Sequence, residues 1–263
     1  MKDIDNILAA FAPISLAEMD GVKLMNRVDT KFVMRMSLLP ELLRQAEASY
    51  YVQEIAGKRT GDYDTTYYDT EDLEMYMRHH DRQLVRQKIR VREYVDSRLY
   101  FLEVKRKNNK GRTKKKRISL PSPDMTPDMT GQGKQVWRVD EFIAAKSRYR
   151  YEQISPRLRT QFTRITLVNK QRTERLTIDT SLQFTNIRSG ALVSLPELVI
   201  VELKRDGNVP SPMIGIMQSL RIKPLKVSKY CIGTALTTPE VNQNRFKAKI
   251  RRINTPIGLS TNQ

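Results

Sequence analysis

Three consecutive segments between residues 88 and 120 alternate basic with apolar side chains. A period of two predicts β-strands, because successive side chains of a strand point to opposite faces. The shared face carries, in chain order, Lys88, Arg90, Arg92 and Tyr94, then Phe101, Glu103, Lys105 and Lys107, then Thr113, Lys115 and Arg117. Like charges on neighbouring antiparallel strands repel, so a sheet that tolerates these rows is expected to surround an anion. A merely solvated face is the alternative interpretation.

The same alternation recurs in three further segments. Their polar positions are Arg27, Asp29 and Lys31 in the first, Arg175, Thr177 and Asp179 in the second, and Glu202 and Lys204 in the third. Structural ion pairs would explain the Glu-Lys spacing of the third segment by itself. A cavity lined with polar groups explains all the strands together, and we therefore expect the charged rows to face a common interior.

The charge of the chain is strongly positive and unevenly distributed. With 47 Lys and Arg against 29 Asp and Glu, the formal net charge is +18 and the pI is near 10.0. Residues 78–117 hold 16 basic and four acidic residues. Such an excess implies a polyanionic partner, of which nucleic acid, an anionic membrane and phosphate compounds are the main classes. The basic segment 238–263 lacks clear periodicity and is expected to be a solvated, flexible tail.

Residue usage and missing motifs exclude several classes of protein. The single cysteine, Cys231, rules out a disulfide framework and indicates a reducing compartment. The two histidines, His79 and His80, are adjacent and disfavour a zinc site or a His-based triad. No P-loop, dinucleotide fingerprint or helix-turn-helix signature occurs in the sequence. The N-terminus is too acidic for a signal peptide and the apolar runs are too short to span a membrane, so a cytoplasmic location is expected.

Hydrophobic patterning predicts a mixed α+β fold. The predicted strands cover about 26–36, 63–69, 84–95, 98–107, 113–120, 160–170, 173–180, 183–187 and 198–205. The predicted helices cover about 37–49, 71–78 and 133–148, and a further helix opens at Ser211-Pro212. Eight or more strands, joined mostly by hairpins, favour a closed antiparallel barrel with helices outside. No domain linker interrupts the pattern.

Eight segments, in consistent order, carry a resemblance to a known family. They are RVDTKFVM (27–34), YYDTEDLEMY (67–76), IRVREY (89–94), FLEVKRK (101–107), GRTKKKRISL (111–120), RLTIDTSL (175–182), VIVELKRD (199–206) and KVSKYCIG (226–233). Together they resemble the VTC domain, the polyphosphate polymerase domain of vacuolar transporter chaperone proteins and their bacterial relatives. That domain belongs to the triphosphate tunnel metalloenzyme, or CYTH-like, superfamily.

The resemblance implies both a fold and an activity. The implied fold is α+β, an antiparallel eight-stranded β-barrel tunnel with flanking helices over residues 1–237, followed by a basic tail at 238–263. The implied activity transfers the ATP γ-phosphate to a growing chain of inorganic polyphosphate, with Mn²⁺ or Mg²⁺ as cofactor. ATP and polyphosphate are thus the implied partners.

The resemblance also implies roles for individual side chains. Catalytic positions fall on Lys31, Arg90, Arg92, Lys105 and Lys204, and the metal-binding position falls on Glu202. Phosphate- or nucleotide-binding positions fall on Lys115, Arg117, Lys170, Lys226, Ser228 and Lys229, with either Arg78 or Arg82 as a further arginine. The cluster 226–229 stands at a helix start, which suits phosphate. Lys170 stands where the family has an arginine, which keeps the charge but loses the bidentate geometry.

Three alternatives to a polymerase stay open at this point. Hydrolytic members of the superfamily open with Glu-x-Glu-x-Lys, whereas the block here is Arg27-Val28-Asp29-Thr30-Lys31, which favours the polymerase branch. A hydrolase of the same fold would cut tripolyphosphate or a nucleoside triphosphate. A non-catalytic sensor would bind polyphosphate or nucleotide and regulate a membrane-protein partner. Nucleic-acid binding rests on charge alone and is disfavoured by the missing aromatic platform.

Overall fold

The computed structural model describes residues 2–20, 27–207 and 209–257. The first residue of the strand predicted over 26–36, and the part of the predicted tail beyond residue 257, lie outside the described residues. The helices are α1 (Lys2–Ala10), α2 (Leu16–Asp20), α3 (Leu39–Ala46), α4 (Glu74–His80), α5 (Val139–Lys146), α6 (Pro212–Ser219), α7 (Lys229–Thr237) and α8 (Lys247–Ile257).

The strands join into one large sheet. They are β1 (Ala12–Ile14), β2 (Arg27–Arg35), β3 (Tyr50–Gln53), β4 (Thr60–Asp69), β5 (Arg86–Tyr94), β6 (Leu99–Lys107), β7 (Thr113–Leu120), β8 (Thr130–Gln132), β9 (Val136–Arg138), β10 (Ser155–Asn169), β11 (Glu174–Asn186), β12 (Leu192–Leu195) and β13 (Leu198–Asp206). The main hydrogen-bonded path runs β2-β13-β11-β10-β4-β5-β6-β7-β8-β9, and its pairings are antiparallel. The predicted α+β class, with a large antiparallel sheet and flanking helices, is confirmed.

The predicted closed barrel of eight strands is not formed in the described residues. The sheet has thirteen strands, and its main path ends at β2 on one side and at β9 on the other. Other segments occupy the two edges that would have to meet. Leu225 N donates to the Lys31 carbonyl beside β2 at 2.8 Å, and Ser119 of β7 pairs with Gln132 of β8. Backbone groups that a ladder between β2 and β7 would need are therefore already satisfied elsewhere.

The sheet curves around the N-terminal end of α7. Lys88 on β5 donates a hydrogen bond to Ser228, the N-cap of α7, at 2.6 Å. Lys229, the first residue of α7, pairs with Asp179 on β11. Because β10 and β4 separate β11 from β5 in the sheet, one helix end can reach both only across a concave surface. We call that concave surface the inner face and the opposite surface the outer face.

The apolar side chains of the alternating strands point to the outer face, where helices pack on them. α1, α3 and α6 pack on the outer face of β2, β13, β11 and β10, in a core that includes Leu42, Val201 and Met213. α5 packs on β5, β6 and β7, in a second core that includes Phe142 and Leu102. The polar halves of the same strands are left to the inner face, as the period of two predicts.

One end of the inner face is filled by α7 and is apolar. Tyr230 of α7 packs there with Phe162, Phe184 and other buried side chains. A Cβ atom on Gly233 would lie 2.5 Å from Phe184 Cδ1 and 2.7 Å from Leu158 Cδ2, so α7 can approach this closely only with glycine at that position. The other end of the inner face is polar and forms the candidate site.

Three predicted elements differ from the observed ones. The strands predicted over 173–180 and 183–187 form one strand, β11, which continues through a bulge where Ser181 has a φ of 52°. The helix predicted over 133–148 begins only at Val139, because 130–132 and 136–138 form a hairpin. The expected flexible tail is helical over Lys247–Ile257, since burial of Phe246 and Ile253 anchors the segment to the core.

Candidate functional site

Charged side chains from several strands and from α7 meet at the polar end of the inner face. The strand register places Arg90 opposite Glu103, Lys88 opposite Lys105, and Lys31 opposite Glu202. The inner-face cluster consists of Lys31, Lys88, Arg90, Arg92, Glu103, Lys105, Lys115, Arg164, Asp179, Glu202, Lys204, Ser228 and Lys229.

Each of the three carboxylates in the cluster is held by two cations. Glu103, with an exposed fraction of 1%, accepts hydrogen bonds from Arg90 Nε and Lys115 Nζ, both at 2.7 Å. Arg90 lies on β5 and Lys115 on β7, so Glu103 on β6 ties three adjacent strands together through side chains. Two cations to one carboxylate leaves this group with a net positive charge.

The other two carboxylates repeat the arrangement. Glu202 pairs with Lys31 across the strands and with Lys204 along its own strand, the latter at 3.5 Å. Asp179 accepts a bidentate pair of hydrogen bonds from Arg164, at 2.6 Å from Nε and 2.9 Å from Nη2, and also pairs with Lys229. The Glu103 and Asp179 groups are therefore cationic overall, whereas Asp29, which stands opposite Lys204 on β2, adds a further negative charge beside the Glu202 group.

Three further cations of the cluster have no carboxylate within 4.0 Å among the described residues. Lys88 donates to the Ser228 hydroxyl, and Arg92 Nε donates to Thr65 Oγ1 at 3.2 Å. Lys105 lies across from Lys88 and forms no ion pair. Arg92 is only 8% exposed, so water compensates little of its charge. A buried charge without a partner is costly, and an anion at this position would remove that cost.

Aromatic rings supply a second layer of support for the arginines. The Arg92 guanidinium lies over the rings of Tyr63 and Phe162, at 5.4 and 5.8 Å from their centroids. The Arg164 guanidinium lies over the same two rings, at 4.8 and 5.2 Å. Stacking of this kind favours a cation without neutralising it, so the arginines remain able to bind an anion.

The surrounding charges hold the carboxylates ionised. Burial alone would raise the pKa of Glu103, but Arg90, Arg92 and Lys115 outweigh it and keep that pKa well below its usual range. Asp179 behaves in the same way beside Arg164 and Lys229. Lys204 and Lys31 likewise keep the pKa of Glu202 well below its usual range, against burial. These carboxylates therefore accept hydrogen bonds and do not serve as proton donors near neutral pH.

The same positive field favours the less positive forms of Lys105, Arg92 and Tyr67. The surrounding protein lowers the pKa of Lys105 to about 8, and the neighbouring charge of Lys88 adds to the effect, although the side chain keeps contact with solvent. Burial, Arg90 and Arg164 lower the pKa of Arg92 to about 10. Burial would raise the pKa of Tyr67, but Arg90 and Arg92 lower it to about 8. Each shift has the direction expected for an interior with surplus positive charge.

The N-terminus of α7 adds an oriented backbone to the cluster. Ser228 caps the helix by accepting from Cys231 N at 3.3 Å, while its hydroxyl also accepts from Lys88. Because the partial positive charge of a helix lies at its N-terminus, this end adds to the positive potential of the inner face.

The structure brings together most of the residues that the sequence singled out. Those in the inner-face cluster are Lys31, Arg90, Arg92, Lys105, Lys115, Glu202, Lys204, Ser228 and Lys229. Arg117 faces the same side but is exposed, and its guanidinium lies 4.5 Å from the Phe101 ring centroid. Lys226 is exposed on the segment that covers the edge of β2.

Two predicted site residues lie elsewhere. Lys170 is exposed in the turn between β10 and β11, beyond the end of the inner face. Arg78 on α4 is occupied by Glu74 of the same helix at 2.7 Å and by Gln83 at 2.6 Å, and contacts none of the cluster. Arg82, the alternative to Arg78, is exposed in the loop after that helix.

Arg164 is the cationic residue that the sequence analysis missed on β10. It stands on the inner face, whereas Lys170, which was predicted to fill the place of the family arginine, does not. The signal was present in the sequence, because Arg164 alternates with Ile165 and Leu167 inside the strand predicted over 160–170.

Of the three carboxylates in the cluster, Glu202 is the most accessible to a divalent metal, because its side chain is 22% exposed, against 2% for Glu103 and for Asp179. No group of three or more His, Cys, Asp or Glu side chains suited to a metal occurs among the described residues. Mg²⁺ in phosphate-handling sites is commonly held by one or two carboxylates together with substrate phosphates, and an ionised Glu202 fits that arrangement. The residues therefore fit a metal ion that shares its ligands with bound phosphate, and not a cage made by the protein alone.

Comparisons with known proteins were made against families, curated proteins and solved structures. The family model of the VTC domain matches residues 26–238. A search of curated proteins returned no significant match. In the described parts of the chain, we also find no helix with the length and apolarity needed to span a bilayer.

Several solved structures are similar at low sequence identity. HpAC1 from Hippeastrum, described as a candidate adenylyl cyclase with a dominant triphosphatase activity, has a TM-score of 0.48 and 11% identity, with 81% of this chain and 97% of that chain covered. A candidate adenylate cyclase from Vibrio parahaemolyticus has a TM-score of 0.46 and 10% identity, with coverage of 80% and 99%. A conserved hypothetical protein from Pyrococcus furiosus has a TM-score of 0.38 and 11% identity, with coverage of 74% and 92%.

The match to the family model takes in β2 through α7, and so includes every strand and helix that contributes to the inner-face cluster. The matched region, residues 26–238, is much more than half of the 263-residue chain. The protein belongs to the VTC domain family.

Proposed function

We propose that the protein is a polyphosphate polymerase, which transfers the γ-phosphate of ATP to the end of an inorganic polyphosphate chain held on the inner face. The observation that carries the proposal is the set of three cations, Lys88, Arg92 and Lys105, that face one interior and have no carboxylate within 4.0 Å among the residues described. A phosphate chain is charged at every unit along its length. It would therefore supply the missing counter-charge to cations that stand on neighbouring strands.

The spacing along β5 supports a chain rather than a single ion. Arg90 and Arg92 project from the same face two residues apart, which separates them by about 6.5–7 Å along the strand. Each guanidinium can donate two parallel hydrogen bonds to one phosphate group. Because Arg90 is already engaged by Glu103 and Arg92 is not, Arg92 is the residue expected to contribute most new binding energy.

Phosphoryl transfer asks the protein mainly for position and for neutralisation of charge. A terminal oxygen of the polyphosphate chain attacks the γ-phosphorus of ATP, and the bond to the oxygen that bridges the β- and γ-phosphates breaks, which releases ADP. Lys31, Lys204 and Lys229 surround the interior from three elements and would stabilise the charge that develops on the transferred group. The acceptor is itself a phosphate oxygen, so no protein nucleophile is needed.

Glu202 is the residue expected to hold the metal ion. A bound Mn²⁺ or Mg²⁺ would neutralise part of the charge on the transferred phosphate. Lys31 and Lys204 pair with the Glu202 carboxylate in this structure, so they would have to turn towards the phosphates when the metal complex binds.

The test is the chain length of the product. Purified protein is incubated with ATP and Mn²⁺, and the products are separated on a gel that resolves polyphosphate lengths. Chains that lengthen with time, in the wild type and in Arg106→Gln but not in Arg92→Met, are the expected result. Arg106 is a suitable control because it is exposed on the outer face of β6. Orthophosphate as the only product would identify a hydrolase, and nucleotide binding without turnover would identify a sensor.

A further inference from the structure

A cavity of about 110 Å³ lies behind α7, away from the inner-face cluster. The start of β10, the end of β11, the C-terminal half of α7 and the loop before α4 enclose it. Its polar lining includes Arg157, Arg188, Glu71, Asn186 and Thr234. None of its lining residues belongs to the cluster, so it is a separate site.

Arg157 contributes a buried donor that has no partner. The side chain is 5% exposed, and Nη2 donates to Glu71 Oε2 at 2.7 Å. Nε of the same guanidinium is buried and makes no hydrogen bond with any residue that the structure describes. Glu71 therefore uses only one of the two donors on that edge of the arginine.

Two other arginines in this chain use both Nε and Nη2 to bind one carboxylate. Arg164 donates to Asp179 through Nε at 2.6 Å and Nη2 at 2.9 Å. Arg138 donates to Asp140 through the same two nitrogens, at 3.2 and 3.0 Å. Arg157 lines the cavity, and its equivalent edge is only half used by Glu71.

A second unpaired donor lines the cavity from α7. Thr234 is 3% exposed, and its hydroxyl makes no hydrogen bond of satisfactory geometry, although the Tyr230 hydroxyl lies near it. Buried polar groups are nearly always hydrogen-bonded, so two unpaired donors in one cavity point to an acceptor that binds there.

The charges around the cavity favour an anion as that acceptor. Glu71 is shared by Arg157 and Arg188, which leaves one net positive charge in the group. The Glu71 side chain is 65% exposed and belongs to the loop before α4, so it stands at the mouth of the cavity. An exposed carboxylate bound through a single hydrogen bond to Arg157 is a group that a better-fitting anion can displace.

We propose that this cavity binds a single tetrahedral oxyanion of the phosphate type, held by the Nε–Nη2 edge of Arg157, by Thr234 and by Arg188, in competition with Glu71. The proposal does not depend on the function proposed for the inner face. The ligand is either free orthophosphate or the end group of a phosphate chain, which share this chemistry.

The experiment follows the Arg157 Nε–H resonance, which burial makes observable, in ¹H–¹⁵N spectra of the full chain. Inorganic phosphate and tripolyphosphate are titrated separately at constant ionic strength. Saturable shifts with orthophosphate identify the free ion, and saturable shifts with tripolyphosphate alone identify a chain end. The signal is local, so binding on the inner face cannot account for it. Crystals soaked in arsenate, which has an anomalous signal, would locate the ion independently.

Two variants are expected to change phosphate binding in opposite directions. Glu71→Gln removes the competing charge and should tighten phosphate binding several-fold, whereas Thr234→Val should weaken it. Arg106→Gln removes an exposed charge elsewhere and should leave it unchanged. The proposal is overturned if neither the wild type nor Glu71→Gln shows a saturable shift, or if Glu71→Gln binds no more tightly than the wild type. An arsenate peak that survives in Arg157→Gln would equally exclude it.

Discussion

The guanidinium groups of Arg92 and Arg164 lie over the same two aromatic rings. Their distances from the Tyr63 centroid are 5.4 and 4.8 Å, and from the Phe162 centroid 5.8 and 5.2 Å. Arg164 is neutralised by Asp179, whereas Arg92 has no carboxylate within 4.0 Å in the described part of the chain. Two buried guanidinium groups are thus held side by side, and Arg164 contributes to lowering the pKa of Arg92.

The first prediction compares Arg92→Met with Arg90→Met. Loss of Arg92 removes an unpaired buried charge, so the free energy of unfolding should stay within about 0.5 kcal/mol of wild type or increase. Its loss should weaken tripolyphosphate binding roughly 10- to 100-fold. Hydrogen bonds to a charged group contribute about 1.5–3 kcal/mol, and this fold-change is that energy converted to a ratio of dissociation constants. Arg90→Met leaves Glu103 with Lys115 alone and should destabilise the protein, towards the lower end of about 3–5 kcal/mol.

Denaturant unfolding and titration calorimetry at fixed salt would measure both quantities, since salt screens such contacts. Arg92→Lys should rescue binding only partly, because it keeps the charge and loses the fork. Wild-type affinity in Arg92→Met would contradict the assignment of the inner face to phosphate.

The second prediction concerns acid stability. The pKa of Glu103 is lowered in the folded protein, so the folded state binds the proton more weakly than the unfolded state does. The stabilisation from this carboxylate is complete above the unfolded pKa of about 4.3 and is lost as the pH falls towards the folded value. Wild-type stability should therefore decrease below about pH 4.5, and Glu103→Gln should be less stable at pH 7 with a shallower decrease in acid. Parallel curves for the two proteins would show that Glu103 is not the group responsible.

The third prediction concerns Lys105, whose pKa is lowered to about 8 in the folded protein. The native state releases this proton before the unfolded state does, so Lys105 makes stability rise with pH between about 8 and 10.5. A bound phosphate chain should raise the pKa of Lys105 again. Binding at pH 9 should therefore be accompanied by the uptake of more protons in the wild type than in Lys105→Met, by about one at most. Calorimetry in buffers of different ionisation enthalpy measures this uptake. Lys114→Met, on the exposed outer face of β7, should behave as wild type.

The fourth prediction separates a metal ligand from a structural ion pair at Glu202. If Glu202 holds the ion, Glu202→Gln should raise the Mn²⁺ concentration for half-maximal turnover by roughly tenfold or more. Metal-free binding of tripolyphosphate should be kept or strengthened, since Lys31 and Lys204 are released. A fall in stability with an unchanged Mn²⁺ requirement would assign Glu202 to structure alone.

The fifth prediction compares two helical glycines. Gly233→Ala places a methyl group 2.5 Å from Phe184 Cδ1 and should cost about 1–3 kcal/mol, because α7 must move away from the sheet. Gly215→Ala on α6 meets nothing within 4 Å and should stabilise the protein by about 0.5–1 kcal/mol. Thermal unfolding of both variants measures the difference. A stabilised Gly233→Ala would show that the close approach of α7 to the sheet is not needed.

The sequence predicted the parts of the fold that follow from local periodicity. The alternation in 88–120 predicts three strands, and the structure forms β5, β6 and β7 there in antiparallel register. The closed barrel was wrong because edge pairing depends on which distant segment reaches a strand first, and 224–225 occupies the free edge of β2. The tail helix was missed because its helical order depends on the burial of Phe246 and Ile253, a tertiary effect.

The candidate site shows the same limit. The alternation of polar and apolar residues along each strand predicts which charged residues share a face. It does not predict that each carboxylate pairs with two cations. Lys31 and Glu202 are 171 residues apart in the chain, and Asp179 and Lys229 are 50 apart. The resemblance implies Lys170 as a binding residue, but the register places Arg164 on the inner face, and Lys170 lies in the turn beyond it.

The seam between β2 and β7 has a mechanical consequence. In a closed barrel the number of strands and their stagger determine the diameter. Here no backbone ladder joins β2 to β7 in the described residues, so the interior can widen or narrow without breaking strand pairing. The width of the interior is therefore set by how residues 224–225 pack along β2 and how β8 packs along β7, and not by strand number and stagger alone.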